Sequence, residues 1–287
     1  MAWLWLLFAI LSPVCYSLGS IIDKFVSLRD VKFYDYARVI GILNLVIGLI
    51  LILFVKIPFN TYGLLALFSG IVYAILLFLY FHSLQFEEIS RVIAIIYTFP
   101  VLVAVFAALF LGEFLTPIKY VAIILAVLGG ILVSFKHTKK QWNLSKALPF
   151  LLLAIVLEAG IEVLDKYLLS SLWFLQISAL FCLGIFVGCS PFLLKGFKNV
   201  PKEAWLGLIS SFLGTVGSFF FIIAASLKEV SIVAATIATQ PAITFVLASV
   251  IHRFNQKLIE EEFERKNFFL KVIAILMIAI GVTILAF

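Results

Sequence analysis

Two acids inside an apolar stretch are the residues of this chain best placed to do chemistry. Residues 147–169, ALPFLLLAIVLEAGIEVLDKYLL, are long enough to cross a bilayer, yet they carry Glu158 at the midpoint and Glu162 one turn further on the same face. A charge at the centre of a spanning helix costs about 2.5–3.5 kcal/mol on insertion scales, so such a residue normally faces a polar cavity or a partner. Glu158 reads as a protonatable or cation-pairing group in a cavity; the plain alternative is a neutral, hydrogen-bonded core carboxyl. Glu162 has both readings and a further one, an i,i+4 approach to Lys166.

Other polar side chains join them by position. Tyr97 and Gln240 each precede a proline, Pro100 and Pro241, inside an apolar run. A proline there removes one rung of the helical hydrogen-bond ladder and leaves backbone groups free, so both side chains are expected beside a cavity at a helix break. Tyr16, Ser20 and Asp23 share a helix face, with Asp23 and Asp165 placed near helix ends. Asn44, Tyr73, Tyr80, His82, Gln176, Ser211, Thr215, Ser218 and Thr239 read as interhelical hydrogen-bonding groups, a routine task for polar residues in membranes.

The elements that must hold these residues follow from composition. The 287 residues are 64% hydrophobic and 13% charged, where a soluble domain is nearer half apolar and a quarter charged, so the chain is a polytopic membrane protein. Ten apolar runs take up most of it: about 3–24, 37–55, 62–84, 89–111, 117–135, 147–169, 172–194, 204–227, 229–252 and 268–287. The first lacks the basic flank and cleavage site of a secretory signal and is expected to be a retained helix. Trp3, Trp5, Trp142, Trp173 and Trp205 fall at or just outside the starts of runs, at headgroup level. Cys15, Cys182 and Cys189 lie within runs and read as small core residues.

The runs divide five and five, and the halves match at an offset of about 142 residues. IIDKF at 21–25 answers VLDKY at 163–167, and EISRVIAIIYTFP at 88–100 answers EVSIVAATIATQP at 229–241, which sets Glu88 against Glu229, Ser90 against Ser231 and Pro100 against Pro241. Units with an odd number of spans must enter the membrane from opposite sides, which makes an inverted repeat, 1–137 and 138–287.

With these features the sequence resembles the ten-helix, EamA-like branch of the drug/metabolite transporter superfamily over nearly its whole length. The resemblance rests on the paired five-helix units, the connections at 87–90 and 228–231, the prolines, Gly112-Glu113, and Gly129, Gly130 and Gly281. The second half departs from it: in place of GEFLTP it has the longer, charged HRFNQKLIEEEFERKN, read as a solvated helical extension with Glu261–Arg265 and Glu262–Lys266 at i,i+4 spacing. The resemblance implies an all-α membrane protein and cytoplasmic termini. Basic residues argue the other way, because they crowd the odd-numbered loops, and Lys and Arg accumulate in cytoplasmic loops. That bias belongs to this chain, and it places both termini outside, in the plasma (cell inner) membrane.

Enzymatic chemistry lacks its parts. His82, His137 and His252 are scattered without acids or thiols at ligand spacing, and no phosphate-binding GxxxxGK[ST] loop occurs, so neither a metal nor an ATP-hydrolysing motor is expected, nor any other cofactor. The net charge of +6 sits in loops, where lipid headgroups and not nucleic acid are the partner. The expected function is secondary transport of a small organic solute by alternating access. Glu158, Glu162, Tyr16, Ser20, Tyr97 and Gln240 then serve binding or coupling, with protons as one candidate coupling ion and the driving gradient left open. The alternative is a membrane scaffold or sensor without transport; substrate identity and oligomeric state are open at this level.

Overall fold

The computed structural model describes residues 3–29, 31–84, 86, 89–133, 147–194, 196–197, 200–254 and 265–286. These are almost wholly helical, and no strand occurs among them. The helices of the first half are α1 (Leu4–Ser27), α2 (Phe33–Ile52), α3 (Thr61–Ser83), α4 (Ile89–Ile96), α5 (Phe99–Phe106) and α6 (Pro117–Val133). The second half supplies α7 (Leu148–Leu168), α8 (Phe174–Leu193), α9 (Gly207–Leu227), α10 (Val230–Ile237), α11 (Gln240–Phe254) and α12 (Arg265–Ala286). A π-helical stretch, Ala107–Leu111, extends α5, and a 3-10 turn, Lys202–Leu206, leads into α9.

Each apolar run of the sequence falls on helix. Among the described residues, six helical segments are long and apolar enough to cross a membrane, and Phe99–Leu111, Pro117–Gly129 and Ile273–Leu285 are shorter apolar helices. The chain is an integral, multi-pass membrane protein. Outward-facing side chains such as Leu49, Leu64, Phe110, Leu152 and Leu276 are exposed and apolar, a surface that only lipid covers stably.

The halves interleave. α1 packs along α9, α2 and α3 along α8, and α6 along α12. Burial in lipid offers little hydrophobic drive between helices, so close van der Waals approach has to supply it. Small residues permit that approach. A Cβ on Gly70 would overlap the carbonyl oxygen of Phe181, and one on Gly184 that of Leu67, so glycine at both positions lets α3 and α8 touch backbone to backbone.

The runs expected as single spans at 89–111 and 229–252 are each broken. α4 stops at Ile96 and α5 begins at Phe99, while α10 stops at Ile237 and α11 begins at Gln240. Pro100 and Pro241 sit in the first turn after each break, where a missing N–H costs nothing. The threonine two residues before each proline turns its hydroxyl back to the helix it leaves: Thr98 Oγ1 donates to Ile95 O at 2.7 Å and Thr239 Oγ1 to Thr236 O at 2.8 Å. One device thus makes both breaks.

One expectation about the tryptophans is corrected. Trp5 is only 5% exposed and packs in the largest apolar cluster with Leu168, Ile177 and Val230, so it is a core residue and not a headgroup anchor. Trp3 and Trp173 are exposed at helix starts as expected. Trp142, the pairs Glu261–Arg265 and Glu262–Lys266, and the matched residue Glu88 lie outside the described residues or involve a residue that does.

Candidate functional site

A cavity lined by apolar and polar side chains lies between the halves, and helical periodicity decides which residues reach it. Tyr16, Gly19, Ser20 and Asp23 recur at three- and four-residue spacing and present one face of α1. Tyr36, Ile40 and Asn44 do the same on α2, Tyr73 and Tyr80 on α3, and Ser211, Thr215 and Ser218 on α9. α7 contributes Ala154 and Glu158. The two helix breaks close the wall with Tyr97 and Phe99 from one and Ile237 and Gln240 from the other.

Most of the polar lining is paired across the halves. Tyr16 OH and Ser218 Oγ share a hydrogen bond of 2.8 Å. Asn44, 1% exposed, donates from Nδ2 to Ser211 Oγ at 3.0 Å and accepts from Thr215 Oγ1 at 3.4 Å. The Asp23 carboxylate accepts from the hydroxyls of Tyr36 and Ser210, tying α1 to α2 and α9. Gln240, also 1% exposed, donates from Nε2 to Ser20 Oγ at 3.2 Å, while its backbone carbonyl accepts from Ser17 Oγ at 3.3 Å. Three buried polar atoms of the wall remain without a partner: the acceptors Glu158 Oε2 and Gln240 Oε1, and the Tyr80 hydroxyl. No Lys, Arg or His is among the residues that line the cavity.

Of the residues singled out by sequence, Glu158, Tyr16, Ser20, Tyr97 and Gln240 come together here. Pro100 and Pro241 are buried next to the wall and make the breaks without lining it. Glu162 does not line the cavity; it is 6% exposed, inside the packed interior, with Oε2 unpartnered. Its expected approach to Lys166 is not made, because Lys166 turns elsewhere. Asp23 and Asp165, read as helix-end acids, are both interior: Asp23 lines the cavity and Asp165 is 5% exposed. The seven-residue spacing from Tyr16 to Asp23, two full turns, was the sequence signal for Asp23.

Lys166 belongs to a second polar cluster at the end of the molecule where α7 and α9 finish. Its ammonium donates to the carbonyls of Ala225 at 2.6 Å and Lys228 at 2.8 Å, capping the C-terminus of α9, where a cation complements the helix dipole. It also stands 3.8 Å from Glu113 Oε1. Glu113 follows Gly112, whose φ of 68° ends the preceding helix in the left-handed region. Burial raises the Glu113 carboxyl above its ordinary value, and the Lys166 ammonium and the Val230 N–H pull it back down. Among the described residues no group of His, Cys, Asp and Glu side chains forms a metal site.

Residues 3–135 match the EamA-like transporter family. No curated protein matches the sequence. A solved crystal structure superposes with a TM-score of 0.72 at 16% identity, over 97% of this chain and 94% of its own. At that identity the likeness extends to the fold alone.

Proposed function

We propose, from the premise that residues 3–135 belong to the EamA-like transporter family of the drug/metabolite transporter superfamily, that this membrane protein is a secondary transporter of a small organic solute working by alternating access. The observation that carries the reading is the cavity: set between the halves, lined in part by polar side chains, and walled by both broken helices. Broken helices at mid-membrane are where transporters place their sites, since free backbone there is tolerated only along a cavity.

The architecture we assign is ten crossings in two inverted five-helix units, 1–137 and 138–287. The like-built breaks at residues 97–98 and 238–239 support it, as does the grouping of chain ends. The connections at 53–60, 112–116, 169–173 and 228–229 gather at one end, linked by Gln176 Nε2 to Lys56 O at 2.7 Å, the Tyr62–Tyr167 ring contact and the Lys166 cluster. The cavity extends from mid-α1 toward the other end, where Asp23, Tyr36 and Tyr80 lie. The structure is therefore read as one of two access states, with the Lys166 end shut.

Glu158 is the proposed coupling group, taking up and releasing a proton from the cavity, with buried Glu162 behind it on α7. Counterflow of solute in proteoliposomes, together with solute-dependent thermal stabilisation, tests the reading. Stabilisation without flux in any gradient would instead fit a sensor or scaffold.

A further inference from the structure

We infer that the cavity takes an organic ammonium, a protonated primary or secondary amine on a compact aromatic or aliphatic body, with Glu158 as counter-ion and the Gln240 amide oxygen as second acceptor. The inference deepens the transport reading and rests on it only for the site's role.

The argument is an inventory of what the cavity leaves unmatched. Several of its donors are already engaged: Tyr36 and Ser210 on Asp23, Tyr16 with Ser218, Gln240 Nε2 on Ser20. Asp23 is thereby supplied with two O–H donors of the protein's own. Of the buried lining atoms left over, Glu158 Oε2 and Gln240 Oε1 can only accept, while the Tyr80 hydroxyl can donate or accept. A buried acceptor without a donor is unfavourable, and in a binding cavity it describes the missing partner. That partner must bring donors.

Charge sharpens the description. The lining carries two carboxylates, Asp23 and Glu158, and no Lys, Arg or His. A solute ending in a carboxylate or phosphate would set acceptor against acceptor and anion against anion. An ammonium brings N–H donors and no acceptor, together with the positive charge. Tyr73 and Tyr97 line the same cavity as Glu158 and offer rings whose quadrupole attracts a cation, and Phe99 and Phe181 provide apolar wall for a body.

The test is a ligand series on the purified full-length protein, read as shift of thermal unfolding and as affinity. The probes are 2-phenylethylammonium, its neutral isostere 2-phenylethanol, the anion phenylacetate, and N,N,N-trimethyl-2-phenylethylammonium, which keeps the charge and lacks N–H donors. The primary ammonium is expected to stabilise saturably, the alcohol and the anion not at all, and the trimethyl analogue about tenfold more weakly than the primary amine. Glu158→Gln should weaken ammonium binding by about 10- to 100-fold, the scale of a hydrogen bond to a charged group, and Gln240→Met by about tenfold. If either variant fails to fold, the wild-type series decides alone. Equal affinity for alcohol and ammonium, or any preference for phenylacetate, overturns the inference. So does an absence of ammonium binding up to about 10 mM, where even a weak site fills. Ammonium binding without counterflow would sink the transport reading and leave this inference standing; counterflow of neutral or anionic solutes without ammonium binding would do the reverse.

Discussion

Glu113 and Val230, 117 residues apart, are joined by a hydrogen bond of 3.0 Å from the Val230 backbone N–H to Glu113 Oε2. The acid caps the start of α10, whose first N–H groups have no partner within the helix. With Lys166 on the end of α9, it links helix ends of both halves in one cluster. If this cluster holds one end of the cavity shut, removing its charge should open that end more often. In a background lacking the native cysteines, Ala234→Cys, fully buried on α10, reports opening by its labelling rate. Lys166→Met is expected to raise that rate roughly tenfold, the scale of one charge-assisted hydrogen bond. An unchanged rate would leave the cluster a static cap.

The Asp23 carboxylate draws one hydroxyl from α2 and one from α9, so each contributes less when the other is present. Tyr36→Phe and Ser210→Ala should each lower stability by about 1–2 kcal/mol, and the double variant by more than the sum, because the last donor to a buried carboxylate costs most to remove. Thermal unfolding of the four-member cycle measures this. Strict additivity would mean that water replaces the lost hydroxyls.

Glu158→Gln keeps the shape of the side chain and removes its charge. Gradient-driven accumulation should be abolished while solute exchange persists, since a carrier that returns loaded need not move a net proton. Exchange requires that binding survive, so it is assayed at solute concentrations raised by the affinity lost. Accumulation at wild-type rate and pH dependence would transfer the coupling role to Glu162, for which Glu162→Gln is the next variant.

Orientation is tested at two exposed lysines on opposite ends, Lys56 after α2 and Lys202 before α9. From the charge bias, Lys56→Cys is labelled by an impermeant thiol reagent in intact cells and Lys202→Cys is shielded. The reverse pattern would put the termini inside. The fold itself does not depend on the result.

What could be read without the structure was whatever depends on neighbours in the chain. Hydropathy over about 20 residues marks a span, a proline inside it marks a break, and an acid at its centre marks a cavity, so the apolar runs, the interruptions at Pro100 and Pro241, and Glu158 were all legible. Tyr97 and Gln240 were legible for the same reason, being tied to those prolines by position. The partners of charged groups were not. Lys166 has Glu162 within one turn yet binds the end of α9 and Glu113, and Asp23 looks like a helix-end acid until α2 and α9 bring hydroxyls to it. Trp5 has the position of a headgroup anchor and is buried because the packing of both halves places it in the largest apolar cluster. Each of these outcomes depends on which helix packs against which, a contact between residues on different helices, and hydropathy and periodicity carry no information about such partners.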